Sequence, residues 1–298
     1  MQSADFLSAV FFYLKVGENL NQNWIVENLN NAFSTWNGKL GELWGPVTTG
    51  PQTFKGGAVW SVMQTLHNGM VGIGYALVVL FFAISLCKNT MNFHELKRPE
   101  AAIHYFLRFV AAKALVGYGM DIMLNVFSIC NGIVTDMADS MGGISEAMVS
   151  LPAEMQTAIE NVGFLASIPL WLVTILGSLF ITVLSFVMIL TVYGRFFRLY
   201  MYTALAPLPL AAFAGESTQS VGISFLKSYV GVCLEGAVIV LSCVIYSAFL
   251  SGGSTALDES LPAVTMVWQY IGQLMFNMLV LTGLVKGSDW LVHEMLGA

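Results

Sequence analysis

Five long apolar runs, separated by short polar stretches, dominate the chain. They cover about 59–87, 106–134, 162–193, 228–250 and 264–285. A helix needs about 20 apolar residues to cross the hydrocarbon of a bilayer. The pattern therefore predicts an all-α, polytopic integral membrane protein with five transmembrane helices, which lie in a transmembrane domain over 58–298.

Residues 1–57 follow a different pattern. Apolar side chains recur there at helical spacing among polar ones, at Leu20, Trp24, Ile25, Leu29, Phe33, Trp36 and Leu40. This spacing predicts an amphipathic helix in an N-terminal extracytoplasmic segment. Its tryptophans fit the headgroup level of a membrane, and packing on the protein's own outer face explains them equally well. Glycines and prolines between Gly45 and Gly57 predict a break before the first transmembrane helix.

Prolines interrupt one further apolar stretch. Pro207 and Pro209 each remove a backbone donor and disfavour helix at the preceding residue. We predict that 199–213 does not cross the membrane, and that 194–227 forms an inner elbow or a re-entrant segment. A re-entrant segment is tolerated only where protein or water satisfies its backbone groups.

Lysine and arginine predict the orientation, because cytoplasmic loops carry an excess of both. With the N-terminus outside and the C-terminus inside, the inner basic residues are Lys88, Lys97, Arg98, Arg108, Arg195, Arg198, Lys227 and Lys286, and the outer ones are Lys15, Lys39 and Lys55. The outer loops, 135–161 and 251–263, contain acidic residues and no basic ones. A sixth crossing would put Lys227 and Lys286 outside. The charges therefore favour five crossings, with Arg195 and Lys227 on the same side.

Composition agrees with a membrane protein and excludes some functions. Of 298 residues, 56% are hydrophobic and 10% are charged, against about 25% charged in soluble domains. The formal net charge of −6 argues against a protein that coats nucleic acid. The sequence contains no phosphate-binding loop, no H-E-x-x-H and no G-x-S-x-G motif. We predict that the protein is not an enzyme and has no catalytic, cofactor or metal site.

Ionisable residues inside the apolar runs are the main candidates for specific contacts, because charge is costly in hydrocarbon. They are Lys113, Asp121 and Glu235. Lys113 and Glu235 lie at similar predicted depths, so a pair between them is geometrically feasible. Such a pair would lock two helices of one subunit, and a contact between subunits or a polar lumen stays open. Gly283 and Gly287 form a G-x-x-x-G pattern that favours close helix packing.

The segment VYGRFFRLYMYTALAPLPLAAFAGE, residues 192–216, resembles the VirB6/TrbL family of type IV secretion and conjugation machines. The five-helix arrangement extends this resemblance over nearly the whole chain, particularly to family versions from Gram-positive mobile elements. The resemblance implies a channel or scaffold subunit of the bacterial cytoplasmic (inner) membrane. It also implies a homo-oligomer, a pentamer, that works with VirB4-like and VirD4-like ATPases and a VirB8-like partner. DNA, or relaxase attached to DNA, would be the cargo.

The resemblance also suggests a role for the inner basic residues. Lys97, Arg98, Arg195, Arg198 and Lys227 would form a cytoplasmic rim that makes transient contact with DNA phosphates. Anionic headgroups of membrane lipid are the better explanation of the same charges. The alternative function is a secondary transporter of an unknown solute. Transporters usually carry paired broken helices in an internal repeat, and only one proline-broken segment is visible.

Overall fold

The computed structural model describes residues 2–90, 99–140, 149–252 and 262–297. Nine α-helices make up these residues: α1 (Gln2–Thr48), α2 (Ala58–Thr90), α3 (Pro99–Gly117), α4 (Gly119–Ser140), α5 (Ala153–Glu160), α6 (Phe164–Leu205), α7 (Pro207–Ala211), α8 (Gln219–Gly252) and α9 (Ala263–Leu296). Short 3₁₀ turns occupy Phe54–Gly57 and Ala212–Ala214. The predicted all-α fold is confirmed for these residues.

Four of the helices are long and apolar enough to cross a membrane. The qualifying segments are Phe54–Lys88, Ser167–Leu205, Gln219–Phe249 and Val264–Leu296. The pair α3 and α4 passes the same test only when its two helices are taken together. The chain is therefore a multi-pass membrane protein, whose described residues include four such helices and one broken pair. The first predicted run, 59–87, coincides closely with α2.

The predicted transmembrane run over 106–134 falls on two helices, α3 and α4, rather than on one. The chain bends by 72° between α3 and α4, at Tyr118. Both flanking residues are glycines in tight surroundings: a Cβ on Gly117 would lie 2.8 Å from Tyr75 Oη, and one on Gly119 would lie 3.1 Å from Leu210 Cδ1. Hydropathy shows only that the residues of α3 and α4 are apolar, so it cannot predict the change of direction between the two helices.

Three predicted helix ends also move. Helix α6 continues to Leu205 instead of ending near 193, α8 begins at Gln219 instead of near 228, and α9 continues to Leu296 instead of ending near 285. Much of the predicted elbow over 194–227 is thus helical. Helix α1 continues through Pro46 to Thr48. Added Cβ atoms at Gly283 and Gly287 would meet nothing described within 4 Å, so neither glycine packs against another described helix.

The helices belong to two compact units. The first unit comprises Met1–Trp44, Gly142–Thr191 and Ser242–Lys286. Its part of α1 buries the apolar face that the sequence predicts: Ile25, Leu29, Phe33, Trp36 and Leu40 are all buried. Packing within the protein therefore accounts for this face. Trp24 is half exposed, with its ring centroid 5.7 Å from that of Trp171.

A side chain of α1 also fixes the segment that precedes α5. The Asn37 amide donates to the Val149 carbonyl at 2.7 Å and accepts from the Val149 N–H at 2.9 Å. Tyr270 of α9 donates to the next carbonyl, Ser150 O, at 3.1 Å. These contacts fix residues 149–150 within the first unit. The predicted outer loops 135–161 and 251–263 lie partly outside the described residues.

The second unit comprises Gly45–Met141, Val192–Leu241 and Gly287–Ala298. At its centre the proline-broken stretch packs against α2 and α3, and Ala206, Leu210 and Ala211 are fully buried. The stretch follows α2 from Gly74, which touches Pro207, to Ser85, whose hydroxyl accepts from the Glu216 N–H. Eight residues, Pro207 to Ala214, are too few to cross a bilayer. The stretch does not form a helix of its own across the membrane, and it lies beside the apolar middle of α2.

Gly74 sets how closely the proline-broken stretch approaches α2. A Cβ at Gly74 would lie 2.9 Å from both Pro207 O and Val116 Cγ1, whereas one at Gly72 would meet nothing within 4 Å. We expect Gly74→Ala to destabilise the fold by about 1–3 kcal/mol through overpacking. Gly72→Ala, on the same helix, should be neutral or slightly stabilising. Thermal unfolding in detergent measures both variants, and equal midpoints would contradict the proposed contact.

The structure contradicts two of the predicted positions relative to the membrane when they are taken together. The orientation places Lys55 outside and residues 193–198 inside, but Lys55 Nζ lies 4.8 Å above the ring of Tyr193. The Phe54 ring also stacks on Phe196, with centroids 3.9 Å apart. The error arises because the prediction took Arg195 and Arg198 to mark a cytoplasmic loop, whereas both lie inside α6.

Candidate functional site

Arg195 is the most unusual side chain of the second unit, because its guanidinium is completely buried. Its Nε donates to the Val232 carbonyl at 3.1 Å, and Nη2 donates to the Cys233 carbonyl at 3.0 Å, both on α8. Nη1 makes a longer contact, at 3.4 Å, with the carbonyl of Val47 in the last turn of α1. One planar group thus connects three helices: α1, α6 and α8.

The end of α1 suits a cation. The last four carbonyls of a helix have no partner within the helix, and they carry the negative end of its dipole. Arg195 takes the carbonyl of Val47, and the Asn131 amide of α4 donates to the next carbonyl, Thr48 O, at 3.1 Å. Two side chains from different helices therefore cap the C-terminus of α1.

Gly236 provides the space for the guanidinium. A Cβ at this position would lie 2.5 Å from Arg195 Nη1 and 2.7 Å from its Cζ. The face of Phe127 lies on another side, with its centroid 5.9 Å from Cζ. Only a residue without a side chain lets α8 approach the charged group this closely, so Gly236 and Arg195 form one packing unit.

A second arginine, one turn further along α6, forms an ion-pair network. Arg198 Nη2 donates to both carboxylate oxygens of Glu235, at 2.7 and 2.8 Å, and Arg198 Nη1 forms an ion pair with Asp289. The Ser288 hydroxyl also lies 3.4 Å from Glu235, and His293 Nε2 lies 3.5 Å from Asp289. Glu235 is fully buried, whereas Arg198 and Asp289 are partly exposed. The network therefore ties α6 to α8 and α9 and opens to the surface on one side.

The same helix also holds the connection between α1 and α2. The Tyr200 hydroxyl donates to the Pro51 carbonyl at 2.9 Å. Phe196 stacks on Phe54, as described above. We name Arg195, Arg198, Glu235 and Asp289 the arginine cluster; Tyr200 and Phe196 extend its anchoring of the α1 to α2 connection.

The structure assigns the three predicted intramembrane charges different surroundings. Glu235 is paired, but with Arg198, so the proposed pair with Lys113 is wrong. Lys113 is exposed on α3 and forms no ion pair within the described residues. Asp121 is exposed in the first turn of α4. Predicted depth alone could not choose between two basic partners for Glu235, and Arg198 had been placed in a loop.

The predicted basic rim is not assembled in the described residues. Arg195 is buried and Arg198 is committed to two carboxylates, so neither is available to a phosphate. Lys227 is exposed on α8 and fits a surface role. Lys97 and Arg98 lie outside the described residues. The prediction assigned Arg195 and Arg198 to the rim because a sequence does not distinguish a solvated arginine from one that is bound to other groups of the protein.

A comparison with known proteins identifies the family of the chain. A family model described as TrbL/VirB6 plasmid conjugal transfer like protein matches residues 36–207, more than half of the chain. The chain belongs to this family. No curated protein and no solved structure matched the chain.

Membership of the TrbL/VirB6 family establishes the broad role. The protein is a multi-pass membrane component of conjugal transfer, or type IV secretion, and this family is a structural part of the machinery. The match begins within α1 and ends at Pro207, so it includes Arg195 and Arg198. Their partners on α8 and α9 lie beyond the matched residues. Among the described residues, no group of His, Cys, Asp or Glu is arranged to hold a metal ion.

Proposed function

We propose that this TrbL/VirB6 family member is a channel or scaffold subunit of a conjugation machine in the bacterial cytoplasmic membrane. It would help DNA, or relaxase attached to DNA, to cross that membrane. The observation that carries the proposal is the family match over residues 36–207, together with four helices and one broken pair suited to a bilayer in the part of the chain that the structure describes.

The arginine cluster supports a scaffold role. Its charges lie within helices that qualify as membrane-crossing, and they are used in contacts between helices rather than left free for a reaction. Buried polar networks of this kind hold a membrane fold in one arrangement. The energy for transfer would then come from VirB4-like and VirD4-like ATPases.

Exposed apolar surface supports assembly with other subunits or contact with lipid. Along α2, the large exposed side chains include Val62, Leu66, Ile73, Val79 and Leu80. We propose that the protein works as a homo-oligomer, a pentamer, and that a VirB8-like subunit is its neighbour. The mass of the complex extracted in lipid nanodiscs tests this point: several copies in one ring agree with the proposal, and a monomer contradicts it.

Gene deletion tests the proposed function itself. A donor strain loses the gene and then regains it in trans, while DNA transfer and the membrane levels of the neighbouring subunits are measured separately. Loss of transfer that the wild-type gene restores, with neighbouring subunits unchanged, supports a direct channel or scaffold role. Undiminished transfer contradicts it, and saturable solute uptake by the purified protein alone would favour a transporter.

A further inference from the structure

A polar cleft of about 510 Å³ opens within the second unit. One wall is the connection between α1 and α2, at residues 50–52, and the other is one face of α4. The polar side chains of this face are Asp121, Asn125, Ser128 and Asn131. None of these cleft residues belongs to the arginine cluster, although Asn131 caps the same helix end as Arg195.

The four polar side chains form a continuous stripe. Their spacing of three or four residues places them on one side of α4, and ten residues from Asp121 to Asn131 extend about 15 Å. Asp121, Asn125 and Ser128 are all exposed. None of the three forms a hydrogen bond or ion pair with another described residue. A stripe of polar groups without partners is costly against hydrocarbon.

Asn131 supplies an independent sign of water in the cleft. Its Nδ2 donates to Thr48 O, but its Oδ1 is buried without a hydrogen-bond partner in the described protein. A buried polar oxygen nearly always has a partner, and a water molecule is the usual one where a site is polar and roomy. The cleft is large enough to hold many water molecules. Its other wall is the turn at residues 50–52.

We propose that this cleft is filled with water in the membrane-embedded protein and admits hydrated cations in preference to anions. The carboxylate of Asp121 gives the lining its negative charge, and no basic side chain is among the lining residues. The inference rests on the proposed function, because it assigns the wet wall of the proposed channel or scaffold. The same carboxylate disfavours DNA phosphates, so the cleft carries water and small cations rather than the nucleic acid.

Thiol accessibility tests the proposal on the full chain in its native membrane. Cys87 is exposed and the other three cysteines are buried, so Cys87→Ser provides a quiet background. Ser128→Cys is placed on the polar stripe, and Ile133→Cys serves as its matched control. Ile133 is also exposed, but five residues further along the helix it faces about 140° away from Ser128. Permeabilised membranes expose both sides of the bilayer to charged methanethiosulfonate reagents.

We expect the cationic reagent to modify Ser128→Cys on the order of tenfold faster than Ile133→Cys, because only a hydrated thiol forms the reactive thiolate. The cationic reagent should also react with Ser128→Cys several-fold faster than the anionic one. Adding Asp121→Asn should remove that preference. Equal rates for the two cysteine variants overturn the wet cleft, and a preference for the anionic reagent overturns its cation selectivity.

Two further readouts keep the outcome interpretable. Labelling after denaturation confirms that each variant carries one new reactive thiol, and membrane level confirms that it folds. Complementation of DNA transfer is scored with the unlabelled variants. If Ser128→Cys reacts no faster than Ile133→Cys while DNA transfer is intact, only this inference is rejected. If deletion of the gene leaves DNA transfer undiminished, the proposed function is rejected.

Discussion

Replacing Arg195 with methionine will destabilise the folded protein by about 3 kcal/mol, because a buried acceptor that loses its donor costs about 1–3 kcal/mol and two further hydrogen bonds from a charged group disappear. Methionine retains much of the side-chain volume, so cavity formation contributes little. The carbonyls of Val232 and Cys233 keep their bonds within α8, whereas Val47 O loses its donor. We therefore expect the end of α1 to loosen first.

Arg195→Lys separates charge from geometry. A lysine keeps the positive charge, but its single ammonium lacks the planar fork that reaches three carbonyls. We expect it to be nearly as destabilising as the methionine variant. Phe197→Ala, at an exposed position two residues along α6, is the control and should change stability little. Thermal unfolding in detergent measures the series, and wild-type stability for the lysine variant would contradict the role of the fork.

Removing Arg198 will destabilise the protein more than removing its partner Glu235. Arg198→Met leaves a carboxylate completely buried without its cation, which costs about 3–5 kcal/mol. Glu235→Gln leaves an arginine that is 28% exposed and still contacts Asp289. The double variant should therefore be more stable than Arg198→Met alone.

A double-mutant cycle on detergent-purified protein measures this coupling. Arg198 and Glu235 are in direct contact, so their effects should not add. Additive effects, or a larger loss for Glu235→Gln than for Arg198→Met, would show that the pair is not the stabilising unit. Asp289→Asn is a useful comparison, since Asp289 is 40% exposed and should contribute less.

Periodicity predicted the helices in which the spacing of apolar residues indicates how the helix packs. The seven apolar positions of α1 indicated a single face. Five of them, Ile25, Leu29, Phe33, Trp36 and Leu40, are buried, and Trp24 is half exposed. The run over 59–87 likewise predicted α2, and the break between α6 and α7 falls at Ala206, directly before the first of the two prolines. In each case the local pattern and the final packing agree.

The burial of Arg195 could not be predicted in the same way, because its partners are backbone carbonyls. Every residue has a carbonyl, so residue type does not reveal that Val47 lies beside Arg195, 148 positions away along the chain. The sequence does contain a glycine, Gly236, directly after Glu235. Glycine is common in membrane helices, however, so it did not indicate that an arginine packs there. The bend at Tyr118 was hidden for a similar reason: hydropathy averages over both arms.

Orientation was hard to predict from the sequence, because the positive-inside rule applies only to basic residues outside the membrane helices. Arg195 and Arg198 lie within α6 and are bound to protein groups, so they do not report the side on which a loop lies. Arg108 likewise lies in the middle of α3, and its Nη2 donates to Gln219 Oε1 at 3.1 Å, at the start of α8. The N-out, C-in arrangement stays a prediction.

DNA transfer per molecule of membrane-inserted protein is the measurement that tests most directly whether Arg195 anchors the fold of a conjugation subunit. Arg195→Lys is expressed at several levels in a donor lacking the native gene, beside wild type and Phe197→Ala. We predict that transfer follows the amount of inserted protein and recovers when expression is raised. Transfer that stays abolished when Arg195→Lys is inserted and folded at the wild-type level would contradict this account, because Arg195 would then act on the cargo or a partner directly.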